Sequence, residues 1–276
     1  MVMHKKLSSG VSQSIQNTME CHKNQVALVE QMKPQEFFIK IANTLEERRS
    51  VFQLGYDVYL QKGFIKKNAN EWLIRNYDFQ GDTVILMVQD RNKNIAGSAT
   101  LVFDGNLQLP AEKNYKKELM NMRQLGFRTT EFSRLVINPD FRNSKEILVM
   151  LFNYAAIYIH QVKRYNGLAI QVNPRHKNFY KALLEFQEIG GEQSCPQVQN
   201  APSVLLYLTE EKYREACNKR EAQGASDRRS LYSYFLDSDK ESLVAHYLAK
   251  QAKPMSEEEK MYFKCSDSGV FEAVCV

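Results

Sequence analysis

The chain has 276 residues and a mass of 32.0 kDa, enough to bury one substantial core with an appendage, or two small domains. A composition 43% hydrophobic and 25% charged excludes a wholly disordered chain and predicts that most of it folds. The net charge of +5 is spread over separated pairs, Lys5-Lys6, Lys66-Lys67, Lys116-Lys117 and Arg228-Arg229. That spread argues against a nucleic-acid face and for a modest attraction to acidic proteins or phosphorylated ligands.

The five cysteines, Cys21, Cys195, Cys217, Cys265 and Cys275, are odd in number, scattered and never paired as C-x-x-C. Reduced thiols in a cytoplasmic protein are expected, with neither a disulfide framework nor a zinc knuckle. His4, His22, His160, His176 and His246 show no H-x-x-x-H or H-E-x-x-H spacing, so no metal is expected. The longest apolar run, residues 147–159, is interrupted by Asn153 and falls short of the roughly 18 to 20 residues that span a bilayer. After His4, Lys5 and Lys6 the N-terminus is Ser/Gln-rich, with no apolar stretch resembling a secretory signal.

In chain order, residues 1–33 read as a polar arm before Pro34. A strand is predicted over 37–42 and a helix over 46–62, which Gly63 ends as a C′ residue. Residues 83–89 and 95–104 form an antiparallel pair around the turn 90–94. The loop 105–110 leads to a helix over 115–125, then to the strand Glu131-Phe132-Ser133-Arg134-Leu135-Val136-Ile137. Asn138-Pro139 turns the chain, and Asn143 or Ser144 caps a buried helix running to His160.

A strand over 168–172, a helix from Asn173-Pro174 to about 186, a turn at Gly190-Gly191 and a final strand over 203–209 follow. Beyond Glu210 charged, alanine-containing helices are separated by Gly224-Ala225-Ser226 and Lys253-Pro254. The order describes one α/β domain over 34–209, a mixed, largely antiparallel sheet with helices on both faces, and a helical C-terminal extension over 210–276.

The strand beginning at Glu131 carries the chemistry. A carboxylate and a guanidinium near the start of an otherwise apolar strand are costly to bury, and sites of chemistry tolerate such costs. Simple alternation puts Glu131, Ser133, Leu135 and Ile137 on one face and Phe132, Arg134 and Val136 on the other, unless a bulge intervenes.

Four ordered motifs extend the reading: Gly97-Ser-Ala-Thr-Leu-Val-Phe-Asp-Gly-Asn-Leu-Gln-Leu-Pro110, Tyr115-x-x-Glu118-Leu119-x-x-x-Arg123, Glu131-Phe-Ser-Arg134, and Asn173-Pro-x-His176-x-x-Phe179-Tyr180. With the helix end Tyr56-Asp57-Val58-Tyr59-x-x-x-Gly63-Phe64, they make residues 36–209 resemble the long-chain N-acyl amino acid synthases. Those belong to the GNAT acyltransferase superfamily and are similar to acyl-homoserine-lactone synthases. The resemblance implies a GNAT-like fold with no permanently bound cofactor. It also implies transfer of a fatty acyl group from a thioester donor, an acyl carrier protein or coenzyme A, to the amine of an amino acid.

Such chemistry needs a base, because the amine arrives as an ammonium. Glu131 is the candidate, directly or through a water; the alternative is that it pairs with an arginine and only fixes the strand. Ser133 either orients the water or amine or is a satisfied polar residue. Arg134 either binds a substrate carboxylate or anchors the sheet by an ion pair. The resemblance further implies an oxyanion contact from a backbone N–H within Leu135, Val136 and Ile137, and a leaving thiolate protonated by Tyr180, otherwise a half-buried helix tyrosine. His176 reads as a capping or surface residue.

One departure concerns the donor. Arg142-Asn143-Ser144-Lys145-Glu146-Ile147 lacks the glycines with which many GNAT enzymes cradle the coenzyme A pyrophosphate. Arg142, Asn143 and Ser144 at the helix start suit a single phosphate, which favours acyl-phosphopantetheine on a carrier protein. Lys212, Arg214, Lys219, Arg220, Arg228 and Arg229 would steer such an acidic partner. An autoinducer-type synthase and a silent acyl-binding or carrier-binding module are the competing expectations.

Overall fold

The computed structural model describes residues 36–105, 108–223 and 230–266. The polar arm 1–33, Asn106 and Leu107 of the loop, the 224–226 separator, Arg228 and Arg229, and Cys21 and Cys275 lie outside the described residues. The chain divides into two units at Glu36, and the second, from Phe37 onward, holds every element below.

Strand β1 (Phe37–Ile41) leads to helix α1 (Leu45–Gln61), which starts at a capping box between Thr44 and Glu47. At its far end the Gly63 N–H donates to Leu60 O and the Phe64 N–H to Tyr59 O, with Gly63 at φ +70° and the Phe64 ring against Tyr59. This Schellman ending fixes Tyr59, Lys62 and Phe64 in space. β2 (Val84–Asp90) and β3 (Ile95–Phe103) form the expected hairpin, closed by the Asp90 carboxylate accepting from the N–H groups of Asn92 and Asn94.

Helix α2 (Glu112–Gln124), kinked at Tyr115, starts a turn earlier than its sequence pattern suggests. β4 (Thr129–Ile137) follows, then α3 (Lys145–Ile157), which continues as a π-turn over Tyr158–Val162, and β5 (Gly167–Val172). Next come α4 (Lys177–Leu184), β6 (Gln187–Cys195) and β7 (Ala201–Thr209), then α5 (Glu210–Gln223), α6 (Ser238–Gln251) and α7 (Glu257–Ser266).

The seven strands form one sheet in the order β1-β2-β3-β4-β5-β7-β6, antiparallel except for β4 with β5. Helix α3 covers one face through a core that includes Phe132, Phe152 and Leu206. On the other face α2 packs Tyr115 and Leu119 over Val102, Ala169 and Tyr207, while α1 packs Val51 and Phe52 over Ile85 and Met87.

The sheet corrects two expectations. Gly190-Gly191 is not a turn: both glycines lie inside β6, a largely exposed polar edge strand with no apolar alternation to betray it. Gly190 sits at a register shift where a Cβ would lie 2.5 Å from Tyr115 Cδ1, so glycine here marks a close approach. Simple alternation along β4 also fails. The pairing with β3 shifts between Ser98 and Thr100, and Arg134 takes φ +46°, a bulge that resets which face each side chain meets. Phe132, Leu135 and Ile137 consequently pack with the α3 side, and the Arg134 guanidinium lies over the Phe52 ring on the α1 side.

Candidate active site

Parallel pairing of β4 with β5 covers only Thr129 to Glu131 against Gly167 to Ala169. Beyond it β4 stays with β3 as far as Ile137 and β5 stays with β7 as far as Val172, so the two strands part. A strand's N–H and C=O groups point alternately to its two edges, and the parting leaves β4 with free backbone donors facing the gap. A cavity of about 750 Å³ fills it.

Its apolar wall comes from Phe132, Leu135 and Ile137 of β4, Ile170 of β5 and Phe179 of α4. Basic side chains also line it: Lys62 from the end of α1, Arg142 before α3, Arg175 before α4 and the paired Arg134 of β4, with the His176 imidazole beside Arg175. No Asp or Glu among the described residues lines it. Burial lowers the pKa of Lys62, and Arg175 and Arg142 lower it further; burial, then Arg175 and Lys62, act likewise on His176. The cavity is therefore built for an anionic ligand with an apolar portion.

Glu131 lines a second cavity, about 150 Å³, that shares Tyr59, Phe64, Phe132, Arg134 and Gln171 with the first. It is 2% exposed, and its Oε2 accepts the Ala111 N–H at 2.7 Å. Burial pushes its pKa up to about 8 against that hydrogen bond, and the nearby Glu112 adds to the rise. Arg123, the cation next to Glu112, is held by Glu112 and by both oxygens of Asp104. Glu131 thus has no guanidinium partner among the described residues.

The strand-fixing ion pair exists, but on Arg134. Its Nη1 and Nη2 donate to the two oxygens of Asp78 at 2.7 and 2.6 Å, and further to Leu73 O and the Thr100 hydroxyl. Both side chains are sealed, at 2% and 0% exposure. Burial opposes the Arg134 charge, yet Asp78 overrides it and raises the guanidinium's pKa. Only Nε is left, buried and without a partner among the described residues. A substrate carboxylate can reach the terminal nitrogens only by displacing Asp78.

The Ser133 hydroxyl also lines the smaller cavity and hydrogen-bonds the Tyr77 phenol, whose pKa burial drives up to about 12. Tyr180 lines the larger cavity against Phe152 and Phe179. Burial pushes its phenol up to about 12, so it keeps its proton at neutral pH. Leu135 and Ile137 face the same space, whereas the Val136 side chain is buried outside it. Arg142 reaches the rim, but Asn143 and Ser144 do not line it, and Ser144 takes the N-cap position of α3 without a side-chain cap bond.

Sequence reasoning missed Lys62, Arg175, Asp78 and the Ala111 N–H, whereas His176, read as a capping or surface residue, is exposed at the N-cap of α4 and also lines the larger cavity. All five come from helix ends and short turns, where no periodicity singles them out. The Gly63 stop was the available signal for Lys62.

A sheet that parts beside a bulged strand, with a buried carboxyl at the fork and a cation-lined apolar cavity beyond it, defines an acyltransferase of GNAT-like fold. The model of the N-acyl amino acid synthase FeeM family matches residues 50–209, more than half of the chain, and the chain belongs to that family. Among solved structures it is similar to FeeM, an N-acyl amino acid synthase from uncultured soil microbes. Identity is 21% at a TM-score of 0.58, covering 67% of this chain and 95% of that one. It is also similar to the AHL synthase LasI, at 16% identity and a TM-score of 0.50, covering 63% and 90%. No curated protein sequence matches it. Among the described residues no group of His, Cys, Asp and Glu has metal-binding geometry, and no helix is long and apolar enough to cross a membrane.

Proposed function

We propose that this chain moves a fatty acyl group from the phosphopantetheine thioester of an acyl carrier protein to the amine of an amino acid. The observation that carries the reading is the shared wall: Glu131 sits in a small cavity of mixed lining that shares residues with the large, apolar one lined by basic side chains. The acyl chain and pantetheine arm suit the larger space, with the donor phosphate among Lys62, Arg142, Arg175 and His176. The glycine-free start of α3 supports a donor with one phosphate over coenzyme A. The free Cys195 and Cys217 suit a reducing, cytoplasmic setting.

In this mechanism Glu131, ionised, takes a proton from the acceptor ammonium, directly or through a water held by Ser133. The freed nitrogen attacks the thioester carbonyl. A backbone N–H on the unpaired edge of β4, within Leu135 to Ile137, meets the oxyanion. The nitrogen's second proton passes to solvent, collapse forms the amide and breaks the C–S bond, and Tyr180 supplies a proton to the departing sulfur and regains one from solvent. Arg134, locked to Asp78, holds the bulge that shapes the edge.

Free-thiol release from acyl carrier protein and from acyl-CoA, measured across the amino acids with mass detection of the amide, tests the reading. Amide formation with a lower KM for the carrier protein is expected. A lactone product from S-adenosylmethionine would favour the autoinducer-type reaction, and acyl-chain binding without thiol release would leave a binding module.

A further inference from the structure

Glu131 lines only the smaller cavity and Lys62, Arg142 and Arg175 only the larger, so the residues common to both walls mark the junction between them. The polar ones are Tyr59, Arg134, Gln171 and Asn173. All but Tyr59 are committed. Arg134 is spent on Asp78, Leu73 O and Thr100, with its Nε sealed. Gln171 Nε2 donates to the Ser203 hydroxyl at 2.8 Å and Asn173 Nδ2 to Pro202 O at 3.2 Å. The Tyr59 hydroxyl has no hydrogen-bond partner among the described residues, yet the residue is only half-buried and its oxygen is not among the sealed, unpaired atoms. It is therefore open to the space that it lines.

Backbone and ring hold this phenol in place. Tyr59 O accepts the Phe64 N–H at 2.9 Å in the Schellman ending of α1, and the two rings meet edge-on at 5.7 Å, with Phe64 itself in both walls. Burial raises the Tyr59 pKa against the charges of Arg134 and Arg75, so it keeps its proton at neutral pH and acts as a donor. Tyr180 lines only the larger cavity, where the proposed reaction runs the pantetheine arm and its sulfur. The thioester carbonyl has to reach the junction for a nitrogen beside Glu131 to attack it. We infer that Tyr59 is a further catalytic residue, whose phenolic O–H donates to the thioester carbonyl oxygen and, with a backbone N–H of β4, stabilises the oxyanion. The proton stays on the phenol throughout. The inference rests on the acyltransferase reading, but the hydrogen bond that it asserts can be read without turnover.

Infrared spectroscopy of dodecanoyl-phosphopantetheine, isotope-labelled at the carbonyl carbon and bound to the full chain, tests that bond. The carbonyl stretch is expected to fall on binding to the parent and to Tyr180→Phe, and to lose most of that shift in Tyr59→Phe. In thiol release from acyl carrier protein, Tyr59→Phe should lower kcat about 10²- to 10³-fold with the donor KM within about threefold. A phenyl thioester of the same acyl group, whose sulfur leaves without help from an acid, should rescue Tyr180→Phe but not Tyr59→Phe. Because the hydroxyl has no protein partner, Tyr59→Phe should keep the parent's thermal midpoint. An unshifted carbonyl in the parent, an equal shift in Tyr59→Phe, its rescue by the phenyl thioester, or a fallen midpoint overturns the inference. A parent that shifts the carbonyl but releases no thiol with any amino acid would sink the proposed reaction and leave the Tyr59 contact standing.

Discussion

Glu131 must carry a negative charge to act as a base, and its surroundings oppose that charge. With the folded pKa near 8 and an ordinary value of 4.5, the folded chain holds one more proton than the unfolded chain across that window. The contribution to stability is therefore complete below pH 4.5 and is lost as pH rises through about 8. Glu131→Gln keeps an acceptor for the Ala111 N–H and removes the titration. Thiol release should fall by about 10²- to 10⁴-fold. The variant's thermal midpoint should gain on the parent's between about pH 5 and about pH 8, by at least about 1 kcal/mol equivalent. The parent's kcat/KM should rise with pH along a limb centred near 8. A flat profile, or equal midpoints at both pH values, would remove Glu131 from the role. Beside it, Asp78→Ala leaves Arg134 charged and buried without its partner, a loss of about 3–5 kcal/mol in urea unfolding. Arg134→Met in the same background should recover part of it.

At the scale of elements, the departures from sequence expectation share a cause. Strands with apolar runs, such as β2, β3 and β7, and the Gly63 helix stop were legible because burial and backbone geometry write themselves into residue type. Strand β6 was not, since an exposed polar edge strand has nothing to alternate. The β4 bulge was not, because it places an arginine at φ +46° where a glycine would have announced it. Glu131 and Tyr180 were legible as cavity residues, but the cationic lining was assembled from separate chain turns. Gly190→Ala tests the β6 account. Its methyl meets the Tyr115 ring, which is anchored by hydrogen bonds from the phenol to Ser203 O at 2.6 Å and Gly191 O at 3.1 Å. A loss of about 1–3 kcal/mol in denaturant unfolding is expected. A neutral result would mean that β6 slides freely on β7.

For the whole molecule, charge and the C-terminal helices matter most. Lys62, Arg142 and Arg175 of the larger cavity stem from three separate segments and face no lining carboxylate, so in the proposed reaction their joint field would act on the donor. Lys62→Glu combined with Arg175→Glu should raise the KM for acyl carrier protein by about tenfold or more and flatten its dependence on salt, leaving the amino-acid KM nearly unchanged. Equal shifts for donor and acceptor would contradict the division between the two cavities. On the opposite side, Arg48 pairs with both oxygens of Glu259 and donates to Lys253 O, and Phe263 meets Phe52 edge-on at 5.1 Å.

Phe52 is also the ring beneath the Arg134 guanidinium, at 5.1 Å. The support of the bulge therefore runs from β4 through α1 to α7, an element made some 130 residues later than the strand it steadies. During synthesis, the fork and its acid emerge long before the ring that braces them, so a nascent chain halted short of Phe263 should own the sheet yet lack a competent catalytic centre. Protease clipping ahead of α7 would return a finished molecule to that immature condition, silencing it without touching a single cavity-lining side chain.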